Sequence, residues 1–299
     1  MVDPFRAFDV QVRGLRRLSP SFLRVTFTGD DLHEFADNGY DQRVKLVLPT
    51  PGAGVTRFPR GADWFKQWYA QGDERNPLRT YTVRAVRPES AEVDIDVVLH
   101  DDCAGPAGPA ARWIAAAEPG SQAAIFGPNG LYDGFHGGLE FRPPAGFGTV
   151  LLAGDETAVP AIVGILERLP AHVTGEALLE VPHEEDVLPV AGAPGVRVTW
   201  LARGDAPWGA RLEPAVAEAA ARLLPAGAAG AEPEEIDVDA DAEILWEIPE
   251  TGDGPCYAWL AGEAAVIKRL RRHLVSERGM DRKAVAFMGY WRQGRSEDA

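Results

Sequence analysis

A change in hydrophobic pattern at residues 141–148 (FRPPAGFG) constrains the fold of this chain more than any other feature. Before this stretch, short runs rich in β-branched and aromatic residues alternate with Pro and Gly clusters, a pattern typical of a small antiparallel barrel. After it, residues 149–153 form an uninterrupted apolar run, as in a buried parallel strand, and strand and helix patterns then alternate. This alternation predicts a doubly wound parallel sheet. We therefore predict two domains, 1–143 and 149–299.

The same patterns give the individual elements. In the first domain we expect one helix and six strands, at 110–117 and at 8–17, 23–28, 44–48, 79–86, 93–99 and 122–126. In the second domain we expect strands at 149–153, 176–181, 196–201, 257–261 and 284–288, and helices at 156–168, 212–224 and 263–277. Residues 226–249 are acidic and of low complexity, and we interpret them as a surface insertion that Ile244, Leu245 and Trp246 could anchor.

Charge and composition exclude several classes of function. The 299 residues carry a net charge of −15, so we expect no nucleic-acid partner, because phosphate binding requires a basic face. There is no apolar run of about 20 residues, so we expect no membrane insertion. The first ten residues lack an apolar core, so we expect no secretory signal and a cytoplasmic location. Two cysteines, Cys103 and Cys256, are too few for a disulfide framework or a zinc site.

The hexapeptide RTYTVR (79–84) carries the strongest chemical signal. In a strand, the side chains of Thr80, Thr82 and Arg84 point to one face, and Arg79, Tyr81 and Val83 to the other. A guanidinium binds phosphate through two parallel hydrogen bonds, an aromatic ring packs on a flat ligand, and a threonine hydroxyl bonds a ring nitrogen. This combination suits a flavin nucleotide. The alternative is an ordinary strand with exposed arginines.

A second motif lies where a strand ends at Val98, Leu99 and His100 and GPAARW (108–113) opens a helix. The backbone amides at the start of a helix bind anions, and small residues let a pyrophosphate approach the backbone. The alternative is a tight turn into a packed helix with Trp113 in the core. The connection HDDCAGPAG (100–108), which includes Asp102, contains two GPA strings, and we prefer the one at Gly108 because Arg112 and Trp113 follow it.

Three further motifs follow parallel strands of the second domain: GDETAVP (154–160), AGE (261–263) and GYWRQGR (289–295). A dinucleotide fold binds its ligand at the carboxyl ends of such strands. The first motif is not G-x-G-x-x-G, and its carboxylates, Asp155 and Glu156, favour a positive helix end but would repel a pyrophosphate. The adjacent aromatic rings of Tyr290 and Trp291 could cover a flavin or nicotinamide, or cap a core.

Taken in order, these strings resemble one family. Together with DQRVKL (41–46), they are similar to those of the siderophore-interacting proteins, FAD-dependent ferric-siderophore reductases of the ferredoxin-reductase superfamily. The resemblance spans nearly the whole chain. It implies a two-domain ferredoxin-reductase-like fold, with an antiparallel β-barrel FAD domain followed by an α/β doubly wound parallel-sheet nicotinamide domain.

The resemblance also implies roles for individual residues. Arg79 would hold an FAD phosphate, and Tyr81 and Thr82 would be the catalytic pair, with Tyr81 on the flavin or ribityl chain and Thr82 near flavin N5. The other implied cofactor contacts are Thr80, Val98, His100, Asp102, Gly108, Pro109, Ala110, Arg112 and Trp113 for FAD, and Gly154, Asp155, Glu156, Thr157, Ala261, Gly262, Glu263 and Trp291 around the nicotinamide. No cysteine stands in the AGE motif, and we assign Cys256 no catalytic role.

The implied activity is hydride transfer from NADH or NADPH to FAD, followed by reduction of a ferric siderophore and release of Fe(II). Ferric complexes are often anionic, so we expect Lys45, Lys268 and Arg272 to face the substrate, with surface solubility as the alternative role. Glu180 and the acidic 184–186 favour NADH, whereas Arg203 could meet a 2′-phosphate.

The donor choice stays open, and ferredoxin is a further candidate donor. We expect a monomer. The rival functions are another flavin reductase that passes electrons to a protein or free flavin, and a non-catalytic ferric-siderophore carrier.

Overall fold

A computed structural model describes residues 2–99, 108–224, 246–247 and 255–294. These residues divide into two compact units, one ending at Leu139 and the other starting at Glu140. The predicted contacts His100 and Asp102, together with Cys103, lie outside the described residues. Of the acidic insertion 226–249, the described residues are Trp246 and Glu247.

The first unit is a closed antiparallel barrel, as predicted. Its strands pair in the order β1-β2-β5-β4-β3-β6. They are β1 (Phe5–Arg17), β2 (Phe22–Thr28), β3 (Arg43–Val47), β4 (Leu78–Arg87), β5 (Glu92–Val98) and β6 (Gln122–Pro128). Alternate residues fill the interior: Val93, Ile95 and Val97 of β5 are at most 1% exposed. Burial of these side chains is the main stabilisation of the barrel.

The opposite face of β5 carries carboxylates that are buried by paired arginines. Asp96 accepts two hydrogen bonds from Arg24, and Asp94 accepts two from Arg87. Burial opposes ionisation of Asp94, but the bonds from Arg87 and Thr26 outweigh it and keep the pKa of this carboxyl below its ordinary value. Cross-strand ion pairs therefore allow charged residues to cover this side of the barrel.

The described residues of the first unit form two α-helices, and sequence patterns predicted one of them. Helix α2 (Pro109–Ala116) was expected, whereas α1 (Trp64–Ala70) was not. The N-cap residue of α1, Asp63, makes no capping hydrogen bond through its side chain, and the aromatic residues of WFKQWYA favour strands as much as helices. Contact with the barrel decides its state, because the Trp64 ring packs 4.5 Å from that of Phe126, centroid to centroid.

The second unit contains a six-stranded sheet with the order β10-β12-β11-β7-β8-β9. Its strands are β7 (Thr149–Gly154), β8 (Thr174–Val181), β9 (Gly195–Ala202), β10 (Trp246–Glu247), β11 (Cys256–Glu263) and β12 (Val285–Trp291). Five of them are parallel, as predicted, and the edge strand β10 runs antiparallel to β12. The predicted doubly wound parallel sheet is therefore confirmed, and β10 is an antiparallel edge strand that the sequence did not predict. Two residues are too few for a periodic signal.

Helices cover the sheet through apolar stripes. Helix α3 (Val159–Arg168) packs against β7, and α4 (Leu212–Leu223) packs against β7 and β8. Leu212, Val216, Ala219 and Ala220 of α4 follow helical spacing and are all buried. Helix α5 (Ala264–Arg272) continues as a π-helical turn (His273–Glu277), so the single helix predicted at 263–277 changes geometry.

Trp246 anchors the end of the acidic segment, as the sequence suggested. Its ring stacks on that of Tyr290 at 5.9 Å, and its strand pairs with β12. Ile244 and Leu245, the other two proposed anchors, lie outside the described residues. Across the described part of the chain, the helices are all too short or too polar to cross a bilayer.

Candidate functional site

In the first unit, Arg79 lies beside the start of helix α2. Its Nη2 is 3.8 Å from the point where a Cβ on Gly108 would stand, and its Nη1 donates to the carbonyl of Leu78 at 2.7 Å. Gly108 is the N-cap in an extended conformation, with Pro109 at the first helical position. As glycine it offers no capping side chain to the amides of the first turn. A guanidinium and a helix N-terminus thus converge on one point, an arrangement that binds phosphate.

We call Arg79 and the N-terminus of α2 at Gly108 the Arg79 cradle. The neighbouring residues of β4 form a half-buried surface next to it. Tyr81 is partly buried against the barrel core, and Thr82 is 6% exposed. The Thr80 hydroxyl accepts a hydrogen bond from Lys45 Nζ at 2.6 Å across β3 and β4. A bulge between Val83 and Ala85 ends the regular pairing with β5, so the strict alternation predicted for this strand stops there.

Helix α2 presents two different faces. Ala110 is buried in the barrel core, and Trp113 packs against the same core with its ring stacked on Phe27 at 6.4 Å. Arg112 is exposed. Val98, the last residue of β5, pairs with Phe22. The core role that the sequence left open for Trp113 is thus the one that its described contacts show.

The DQRVKL motif also has a local structural task. Gln42 is 1% exposed, and its side-chain amide donates to the carbonyls of Gly137 and Gly138, both at 3.3 Å. The backbone carbonyl of Gln42 accepts from Val83 N–H. Gln42 therefore fixes the segment that leaves the barrel and the strand that carries Tyr81 and Thr82.

In the second unit, strand order reverses between β7 and β11, which is where a doubly wound sheet forms its ligand crevice. The GDET and AGE motifs end these two strands. The strands approach closely: a Cβ on Gly154 would stand 2.5 Å from the Ala261 carbonyl oxygen, and one on Gly262 would stand 2.6 Å from Asp155 Oδ2. Gly262 also has a φ of +148°. Both positions therefore require glycine.

Asp155 ties three segments of this crevice together. Its Oδ1 accepts from the backbone N–H and hydroxyl of Thr157, and its Oδ2 accepts from Glu263 N–H at 2.7 Å and Trp291 Nε1 at 2.8 Å. The carboxyl is 3% exposed. The motifs predicted around the nicotinamide are thus brought together, with Asp155 at their centre.

Glu156 forms a buried ion pair that the sequence did not predict. Arg203 donates two hydrogen bonds to its carboxylate, at 2.7 and 2.8 Å, and Trp208 Nε1 donates a third at 3.1 Å. Glu156 is 0% and Arg203 9% exposed. The Trp291 ring packs edge-on against Trp208 at 4.9 Å. Of the two alternatives for this tryptophan, packing within its own unit is the one these contacts show.

The residues expected to choose between NADH and NADPH are engaged within the protein. Glu180 is 0% exposed and accepts from the N–H groups of Gly209, Arg211 and Leu212, at 2.8 to 3.0 Å. Arg203 is held by Glu156. Glu180 and Arg203 therefore both have protein partners in this structure, and the choice between NADH and NADPH stays a prediction. A strand-end acid looks the same in sequence whether it binds a ribose or a helix.

The two predicted siderophore residues of this unit lie on α5. Lys268 and Arg272 are both exposed, one turn apart, and Arg272 Nε is 3.8 Å from Glu277 Oε1. Cys256 is buried at the start of β11, and burial raises the pKa of its thiol to about 11. A thiol held protonated in this way is a poor nucleophile.

The Asp155 carboxyl gives the protein a defined pH dependence. Burial, followed by the charge of Glu156, raises its pKa from 3.8 to about 7 despite its four donors. The folded state therefore binds the proton more tightly, so this contribution to stability is fully present below pH 3.8 and is lost as the pH rises through 7. Between pH 5 and pH 8 we expect the free energy of unfolding to fall by about 2 kcal/mol more in the wild type than in Asp155→Asn. Urea unfolding at both pH values measures this difference, and equal pH slopes would contradict it.

Comparison with known proteins now assigns both units. Residues 11–132 match the family model described as siderophore-interacting FAD-binding domain, and residues 147–294 match the one described as siderophore-interacting protein. This chain belongs to the siderophore-interacting protein family. The first unit, which carries the Arg79 cradle, is thus the FAD-binding domain of the family.

Relatives extend over nearly the whole chain. Ferric vibriobactin reductase ViuB of Vibrio cholerae is 30% identical over 94% of this chain and 88% of its own length. The siderophore-interacting protein SipS from Aeromonas hydrophila has a crystal structure that is 27% identical, with a TM-score of 0.68, over 98% of this chain and 94% of the other. A ferredoxin reductase in carbazole 1,9a-dioxygenase, at 13% identity, has the same fold, with a TM-score of 0.60 over 97% of this chain and 71% of its own. The predicted family and the ferredoxin-reductase-like fold are both confirmed.

Proposed function

We propose that this siderophore-interacting protein is a cytoplasmic, monomeric FAD-dependent oxidoreductase that uses NADH or NADPH to reduce ferric siderophores and release Fe(II). The observation that carries the proposal is the convergence of the Arg79 guanidinium on the N-terminus of α2, within the FAD-binding domain of this family. Arg79 would neutralise one phosphate of FAD, and the amides following Gly108 would bind the pyrophosphate.

The fit of FAD to this unit rests on the donors present. The cradle supplies cationic and backbone N–H donors and no carboxylate among its described residues, which suits a diphosphate. Tyr81 offers a partly buried ring and Thr82 a buried hydroxyl next to it on β4. FAD, when bound, supplies two-electron acceptance from a nicotinamide and one-electron donation to iron. Tyr81 and Thr82 would orient its ring and exclude water from it.

Spectroscopy under anaerobic conditions tests the proposal. The yellow flavin band of the purified protein should bleach with NADH or NADPH and return when a ferric siderophore is added, with Fe(II) trapped by a ferrous chelator. Reoxidation by free flavin or a protein acceptor, with no response to ferric siderophores, would instead identify another kind of flavin reductase. Siderophore binding by a colourless protein, or a yellow one that does not bleach, would identify a carrier.

The proposed substrate contacts are Lys45, Lys268 and Arg272. Replacing all three with alanine should raise the siderophore KM by roughly tenfold, because solvent-accessible charges such as the exposed Lys268 and Arg272 and the half-buried Lys45 each contribute up to about 1 kcal/mol to an anionic ligand. Flavin content should be unchanged. The matched control is Lys66→Ala, Arg168→Ala, Arg282→Ala, which removes the same charge from exposed positions elsewhere. Equal KM values for the two triple variants would show that these three residues do not contact the substrate.

A further inference from the structure

Where the strand order reverses between β7 and β11, the backbone N–H groups at the strand ends already donate hydrogen bonds to carboxylates of the protein itself. Three carboxylates share this task. Asp155 accepts hydrogen bonds from the N–H groups of Thr157 and Glu263. Glu263 accepts from those of Ala265 and Val266. Glu180 accepts from those of Gly209, Arg211 and Leu212. These are the N-terminal turns that would bind the pyrophosphate of a dinucleotide in a doubly wound fold. Among the described residues, each of the three turns is thus capped from within.

Charge and space act in the same direction as this capping. Asp155, Glu156 and Glu263 are all at most 7% exposed, and of these Glu156 is matched by the Arg203 guanidinium. A pyrophosphate placed here would lie close to the carboxyl groups of Asp155 and Glu263 in a poorly solvated crevice. When these groups are ionised, the repulsion between them and the pyrophosphate is strongly unfavourable. Among the described residues that line the crevice, which include Glu180, Gly209 and Gly262, the packing leaves no room for a water molecule, so a pyrophosphate would have to displace side chains.

We infer that the crevice between β7 and β11 does not hold the pyrophosphate of a dinucleotide, and that Asp155 is the specificity-determining residue that excludes it. The donor is then recognised through its nicotinamide-ribose half. The adenosine half of a dinucleotide has no site in this crevice, and Glu180 and Arg203 already bind protein partners. We therefore expect the protein to accept hydride almost equally well from NADH, NADPH and reduced nicotinamide mononucleotide. This reading of donor choice rests on the proposed nicotinamide-dependent function, whereas the exclusion of pyrophosphate does not.

Calorimetric titration of the FAD-loaded protein with ADP-ribose tests the exclusion without any redox step. We expect no binding tighter than about 1 mM for the wild type. Asp155→Gly removes the carboxylate and uncovers the N–H groups of Thr157 and Glu263, so it should bind ADP-ribose at least roughly tenfold more tightly. Asp205→Gly is the matched control at an exposed position of the same unit, and should behave as the wild type does.

A micromolar Kd of the wild-type protein for ADP-ribose would overturn the inference. This measurement stands even if Asp155→Gly does not fold. If Asp155→Gly folds and binds ADP-ribose no better than Asp205→Gly, the role assigned to Asp155 is wrong.

Stopped-flow reduction of the flavin tests donor recognition. The apparent second-order rate constants for NADH and NADPH should agree within about threefold, and reduced nicotinamide mononucleotide should lie within about tenfold of both. A loss of more than roughly 100-fold for the mononucleotide, or discrimination of more than about tenfold between the dinucleotides, would overturn the inference. If none of the three reduces the flavin, the proposed function fails, and the exclusion of pyrophosphate is still decided by the ADP-ribose titration.

Discussion

Replacement of Arg79 by alanine is expected to give a folded protein that no longer retains FAD. The guanidinium lies at the N-cap of α2, where it would pair with a phosphate in a partly desolvated position. Removing one member of such a charge-assisted pair leaves the phosphate charge without its partner, which costs about 3 kcal/mol, or roughly 100-fold in Kd. Flavin content after purification and fluorescence titration of the apoprotein with FAD measure the loss.

The matched control is Arg75→Ala. This substitution removes the same charge from the same unit, but the Arg75 guanidinium lies over the rings of Trp68 and Tyr69, 4.6 and 5.7 Å from their centroids. This variant should bind FAD as the wild type does. The circular dichroism and melting temperature of both variants show whether the barrel is intact. An Arg79→Ala protein that keeps its flavin through gel filtration would show that the cradle is not the phosphate site.

Replacement of Arg203 by alanine should strongly reduce the stability of the second unit. Glu156 is 0% exposed in the wild type, and the substitution leaves its carboxylate with the Trp208 indole as its remaining described donor. Breaking a buried pair from one side costs about 3 to 5 kcal/mol, because the remaining charge keeps its desolvation penalty. Urea unfolding followed by circular dichroism and by tryptophan fluorescence gives the value.

Two comparison variants separate charge from packing. Arg222→Ala also removes an arginine from a carboxylate pair, but its side chain is 47% exposed and Glu176 retains Arg197, so we expect a much smaller loss of stability than for Arg203→Ala. The double variant Glu156→Gln, Arg203→Met removes both charges and should be less damaged than Arg203→Ala. A double variant as unstable as the single one would show that lost packing, and not the unpaired carboxylate, causes the effect.

The wild-type crevice thus combines stability with specificity. Asp155 holds the ends of β7 and β11 and the Trp291 indole in one place, and the same hydrogen bonds use up the donors that a pyrophosphate would need. Substitutions that open the crevice to a dinucleotide are therefore expected to reduce stability at the same time. Such a trade-off is common where binding groups are shared with structural ones.

The amino-acid sequence by itself determined the two architectures, since strand and helix periodicity are local properties. The alternation of Val93, Ile95 and Val97 predicts a barrel strand, and the apolar run 149–153 predicts a buried parallel one. Motif order along the chain was also enough to identify the family. The antiparallel β10 and the aromatic helix α1 were beyond such reasoning, because two residues carry no period and a WFKQWYA segment takes its state from its contacts.

What the tertiary structure alone decided is which groups at the strand ends are still available to a ligand. Asp155 meets Glu263 and Trp291 across 108 and 136 residues, and Glu156 meets Arg203 across 47. A carboxylate that caps its own protein and one that binds a ribose have the same letter in the sequence. Their difference lies in partners brought within about 3 Å by folding, since hydrogen bonding requires that proximity and local pattern does not encode it.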